Sequence, residues 1–152
     1  MRELSVQRTG DTYVLRDGDT VVWTIELPLD MSGTPFREEV VWSASGVVAI
    51  GGGTTIYFVG IELGTVTRRI SLARDLFGHF EIDRDVLYVS GFRDVTAIDR
   101  QLSILWSSKN VAIDGIVWQS REGDRIKLSA EMDPPGGWVD VELDAATGRR
   151  LS

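Results

Sequence analysis

Histidine occurs once, at position 79, and cysteine is absent. A Ser–His–Asp relay needs a nucleophile on a sharp elbow, and a histidine metal site needs further ligands. The sequence holds no Gly-x-Ser-x-Gly and no His-x-x-His. His79 therefore reads as a residue at the start of a strand. Gly51-Gly52-Gly53 could cradle a phosphate only with a helix N-terminus behind it. Thr54-Thr55-Ile56-Tyr57 has strand character, so the glycines read as a hairpin turn. Asp17-Gly18-Asp19 and the trio Glu81, Asp83, Asp85 carry carboxylates at i,i+2 spacing. On a strand that spacing shares one face, and hard cations accept oxygen ligands. Neither cluster has the glycine and closing glutamate of a calcium loop, and both fall in expected turns, so solvated turns are the simpler reading. A glycosidase needs two carboxylates facing each other across a cleft. The 23 Asp and Glu residues offer no spacing that singles out such a pair. No catalytic residue, no metal ligand and no cofactor is expected.

Binding chemistry is better represented. Five tryptophans are present. Trp23 and Trp106 occupy matching positions in similar hairpins, as do Trp42 and Trp118, which points to packing between repeated units. Trp138 differs. It follows Asp133-Pro134-Pro135-Gly136-Gly137 and shares a strand face with Asp140 and Glu142. A stiff proline pair beside an aromatic anchor suits partner recognition. Asp133, Pro134, Pro135, Trp138, Asp140 and Glu142 are the expected partner-binding residues. The plainer alternative is that Trp138 caps one end of the core.

These residues must be carried by a chain of 152 residues and 16.8 kDa, enough to bury roughly 70% of its unfolded surface. One all-β domain over residues 1–152 is expected, with units near 1–30, 39–72, 78–108 and 111–152. The net charge is −7, spread evenly over both halves, which disfavours nucleic acid and anionic lipid surfaces as partners. No apolar run is long enough to span a membrane. Nothing after Met1 resembles a secretory signal, so a cytoplasmic location is expected. Arginine outnumbers lysine by 14 to 2, a hint of a GC-rich bacterial genome.

Val, Ile and Thr total 39 residues, tilting the chain toward strand. Turn chemistry interrupts the apolar runs every ~8–12 residues. Asp17-Gly18, between Tyr13-Val14-Leu15 and Val21-Val22-Trp23, favours a tight hairpin. The one expected helical turn is Leu72–Phe77, stopped by Gly78. Four hairpins look alike: Tyr13–Trp23, Ile56–Ile70, Val95–Trp106 and Val139–Leu151. A second kind lies between them, at Val40–Ile50, Phe80–Val89 and Ile116–Leu128. A period near 40 residues with about four strands each is the signature of propeller blades. Val47–Ile50, Ile56–Val59 and Val86–Val89 are apolar on both faces, as strands covered from both sides are. Val139-Asp140-Val141-Glu142-Leu143 alternates, and Arg68-Arg69 and Arg149-Arg150 charge the outermost strands. The expected fold is a small four-unit propeller-like antiparallel meander, the first unit one strand short. The alternative is an up-and-down barrel.

Val95-Thr96-Ala97-Ile98-Asp99 with Ile104-Leu105-Trp106, and Val141-Glu142-Leu143-Asp144-Ala145-Ala146-Thr147-Gly148-Arg149-Arg150-Leu151, resemble the outer hairpin of quinoprotein-type (PQQ-like) propeller repeats. The resemblance covers about a third of the chain and implies fold rather than cofactor. Asp133-Pro134-Pro135-Gly136-Gly137-Trp138 resembles a segment of small bacterial proteins and implies no activity.

The expected function is non-enzymatic protein binding, of a bacterial immunity-like or regulatory kind, by a monomer or homodimer. A small-ligand or carbohydrate carrier with a tryptophan-lined pocket is the alternative, and an enzyme using carboxylates alone is the third reading.

Overall fold

A computed structural model describes residues 2–31 and 33–152. Fourteen strands form four antiparallel sheets, each built from consecutive strands. The first holds β1 (Leu4–Thr9), β2 (Thr12–Asp17) and β3 (Thr20–Glu26). The second holds β4 (Arg37–Trp42), β5 (Val47–Gly52), β6 (Thr55–Gly60) and β7 (Val66–Ser71). The third holds β8 (Phe77–Asp83), β9 (Val86–Gly91), β10 (Val95–Asp99) and β11 (Ile104–Ser108). The fourth holds β12 (Ile116–Glu122), β13 (Arg125–Glu131) and β14 (Trp138–Asp144). The sheets stack face to face and none curls into a closed barrel.

Side-chain alternation explains the stacking. Every residue of β5 is buried. Val48 and Ile50 enter the core shared with the first sheet, through Tyr13, Leu15 and Trp23. Val47 and Ala49 enter the core shared with the third, through Phe77, Phe80, Leu87 and Val89. On β9, Tyr88 points the other way, into a core with Ile126, Leu128, Val141 and Leu143 of the fourth sheet. A strand with apolar residues at both parities can be stable only when both faces are covered. Three such cores join four sheets, so among the described residues the arrangement is an open arc.

Trp23 and Trp106 show which strands correspond. Trp23, on β3, donates its indole N–H to the Ile61 carbonyl at 3.0 Å, and Trp106, on β11, to the Ala145 carbonyl at 3.0 Å. Each ring lies against a glycine in the next sheet's outer turn. A Cβ at Gly64 would come within 2.8 Å of Trp23, and one at Gly148 within 2.3 Å of Trp106. β3 is thus an outermost strand, and the first sheet lacks its innermost one. The last sheet lacks an outermost strand beyond one bridge between Leu143 and Arg150.

Two expectations need correction. Leu72–Phe77 forms no helical turn; β8 begins at Phe77, and the only helical element described is the 3-10 turn Ser43–Ser45. The buried Asp75 carboxylate holds this loop by accepting the backbone N–H groups of Leu76, Phe92, Arg93 and Asp94. Burial pushes that carboxyl above its ordinary range, against the pull of the donors. Trp42 and Trp118 do not occupy matching positions. Trp42 ends its strand and donates forward to the Arg84 carbonyl of the third sheet. Trp118 sits mid-strand, beside a bulge, and packs backward on Tyr88 at 5.1 Å.

Candidate functional site

The innermost strands β4, β8 and β12 all reach one cleft of about 680 Å³, β4 packing beside β8 and β12 beside β9. Glu38 arrives from β4, His79 and Glu81 from β8, Trp118 from β12, Glu131 from the end of β13 and Trp138 from the start of β14. Phe36 and Phe92, on loops of the second and third sheets, meet edge to face at 5.6 Å.

His79 lies between two carboxylates. Its Nδ1 is 2.5 Å from Glu38 Oε2 and its Nε2 is 3.0 Å from Glu81 Oε2. Hydrogen bonding to Glu38 raises its pKa from 6.5 to about 9, burial opposes this, and Glu81 adds to it. At neutral pH the ring is therefore an imidazolium that donates both N–H groups. It has no lone pair left to accept a proton. Glu38 also accepts the Phe80 backbone N–H at 3.1 Å, so the same carboxylate clamps the third sheet to the second.

At the other end of the cleft the chain is tied down by Glu131. The Ile113 and Asp114 N–H groups donate to its carbonyl, and its own N–H donates to the Gly115 carbonyl. Its side chain accepts the Gly136 N–H at 2.7 Å, which ties in the Asp133–Gly137 turn. Gly136 and Gly137 both have positive φ, and a Cβ at Gly137 would strike Asp133 at 2.6 Å, so only glycine suits this turn. The peptide between Pro134 and Pro135 is cis. Trp138 stands directly across the sheet from Glu131. Its ring covers Gly115, where an added Cβ would be 3.2 Å from Cη2. About half of Trp138 and of Phe36 is exposed.

The structure divides the residues expected to bind a partner. Trp138 lines the cleft, with Asp133, Pro134 and Pro135 in the exposed turn behind it. Asp140 and Glu142 run along the open face of the fourth sheet, where Asp140 accepts from Gln119 and Glu142 pairs with Arg125. Phe36, Glu38, Phe92, Asp114 and Glu131 were invisible as site residues, since no motif links positions so far apart in the chain. Asp17 pairs with Arg2 at 3.5 Å, Asp83 with Arg121, and Asp85 with Arg100 at 3.8 Å. These acids thus act as ion-pair partners, and no trio of His, Asp or Glu among the described residues is arranged to hold a metal.

No protein-family model and no curated protein matches the sequence. Solved β-propellers do match. The computationally designed Ika8 protein aligns with 99% of this chain and 48% of its own, at 15% identity and a TM-score of 0.62. The WD40 β-propeller domain of Doa1 aligns with 98% of this chain and 49% of its own, at 9% identity and a TM-score of 0.62. A KlHsv2 variant with loop 6CD replaced by a Gly-Ser linker aligns with 93% and 45%, at 12% identity and a TM-score of 0.65. The chain thus spans about half the length of the propellers it matches. The likeness shows the propeller fold; it does not bear on the quinoprotein type of the repeats.

Proposed function

We propose that this propeller arc is a non-enzymatic protein-binding module whose recognition site is the cleft ending at Trp138. The observation that carries the reading is the combination of exposed aromatic rings with backbone-tied loops. Phe36 and Trp138 present apolar surface to solvent at a site that Glu131 and Glu38 hold rigid. Exposed aromatics on a stiff frame lose little entropy on binding and dominate interface energetics. With both ring nitrogens engaged by Glu38 and Glu81, His79 offers no free nitrogen to act as a base. A regulatory or immunity-like role in a bacterial cytoplasm fits the acidity, a net charge of −7.

The test is capture of partners on immobilised protein. A partner held by the wild type and lost on Trp138→Ala supports the reading. Equal retention by the Trp138→Ala, Asp140→Lys double variant would place the binding site elsewhere. A second reading, a small-ligand carrier, is favoured by the cleft volume, which lies in the range of ligand pockets. Quenching of tryptophan fluorescence by one member of a sugar and metabolite set would favour it.

A further inference from the structure

We propose that the cleft takes the side chain of an arginine, presented on an extended segment of a partner protein. This names the occupant of the site proposed above and rests on that reading. Four rings line the cleft: Phe36 and Phe92 in edge-to-face contact, together with Trp118 and Trp138. Aromatic faces attract cations, most strongly where water is partly excluded.

The charge inside the cleft has one sign to offer. Its lining holds four carboxylates, Glu38, Glu81, Asp114 and Glu131, against the one imidazolium of His79. That cation is already shared between Glu38 and Glu81. Asp114 and Glu131 make no ion pair among the described residues, and no Lys or Arg lines the cleft. An anionic ligand would be repelled. A purely apolar one would strip water from Asp114, and from Glu131 beyond the one backbone N–H it accepts from Gly136, and return nothing.

A guanidinium meets both demands. Its plane stacks on a ring while its N–H donors serve two carboxylates, and it sheds water more readily than an ammonium does. The geometry of the acids supports this. Asp114 donates its backbone N–H to the Glu131 carbonyl at 3.4 Å, so the two acidic residues are neighbours in the cleft lining. The molecule's net charge of −7 adds long-range attraction for a basic segment.

Random peptides displayed on phage provide the test, selected in parallel on the wild type, on Trp138→Ala and on an Asp114→Asn, Glu131→Gln double variant. Circular dichroism checks that each variant remains folded. The expected result is a set of wild-type-selected peptides enriched in arginine. Their synthetic copies should bind the double variant about tenfold more weakly and should lose a similar factor when arginine is replaced by norleucine. Raising the salt concentration should weaken them further. Peptides that require Trp138 but lack a basic residue would overturn this inference and leave the protein-binding reading standing. Peptides indifferent to Trp138→Ala, or no selection at all, would overturn both.

Discussion

At the scale of single residues, His79 concentrates the electrostatics of the molecule. Its pKa is raised to about 9, chiefly by Glu38. A group whose folded value lies above its unfolded value stabilises the fold most at low pH. That stabilisation is complete below about 6.5 and lost as the pH climbs through about 9. The side chain is 43% exposed, so solvent screening reduces the effect to about 1 kcal/mol. As the only histidine, it gives one pair of imidazole proton resonances. Those should titrate near pH 9, and His79→Gln should remove the matching fall in unfolding free energy. A midpoint near 6.5 would mean the Glu38–His79–Glu81 bridge does not form in solution. None of this was legible in the sequence, where a lone histidine reads as bland. Glu38 lies 41 residues away and on a different sheet, and no local pattern encodes a contact made by stacking. The exposed position of Trp138 at a tight turn was legible because its signal is local: an aromatic residue directly after a run of prolines and glycines.

At the scale of elements, the strands declared themselves because their pattern is a burial pattern. Val47–Ile50 is apolar at both parities, and β5 is buried at both parities. The helical turn expected at Leu72–Phe77 failed for a tertiary reason. The Asp75 carboxylate draws its donors from Phe92, Arg93 and Asp94 as well as from its neighbour Leu76, which fixes a loop in place of a helix. The pairing of Trp42 with Trp118 failed because the two stand at different registers: Trp42 faces Val47 at the end of its strand, whereas Trp118 faces Leu128 in the middle of its own. Trp23 and Trp106 held because each needs a glycine turn in the next sheet. That device can be measured. Gly148 and Gly123 both have positive φ, at 74° and 63°, but only Gly148 has a ring against it. Gly123→Ala should cost about 1 kcal/mol, the left-handed backbone penalty alone. Gly148→Ala must also displace Trp106 and should cost about 3 kcal/mol in denaturant unfolding. Equal costs would show that the tryptophan-on-glycine contact does not fasten the fourth sheet to the third.

At the scale of the whole molecule, the first and fourth sheets each leave one face uncovered among the described residues. The open faces are mainly polar. Ser5, Gln7, Arg16 and Thr24 lie on that of the first sheet beside Val14 and Val21, and Lys127, Ser129, Asp140 and Glu142 on that of the fourth beside Val117. Arg125 pairs with Glu142 and Lys127 with Glu122, both at 2.9 Å. Polar outer faces are what end units of stacked repeats require. The inner sheets bury both faces and the outer sheets only one, so protection against hydrogen exchange should be graded. Amides of β5, β6, β9 and β10 should exchange only through global unfolding, whereas those of β1 and of the Asp144–Leu151 segment should exchange through local opening at much lower free energy. The gradient should be independent of protein concentration. If β1 were as protected as β5, and lost that protection on dilution, the free edge of the first sheet would be covered by a second molecule, and the polar ends would be an interface rather than a cap.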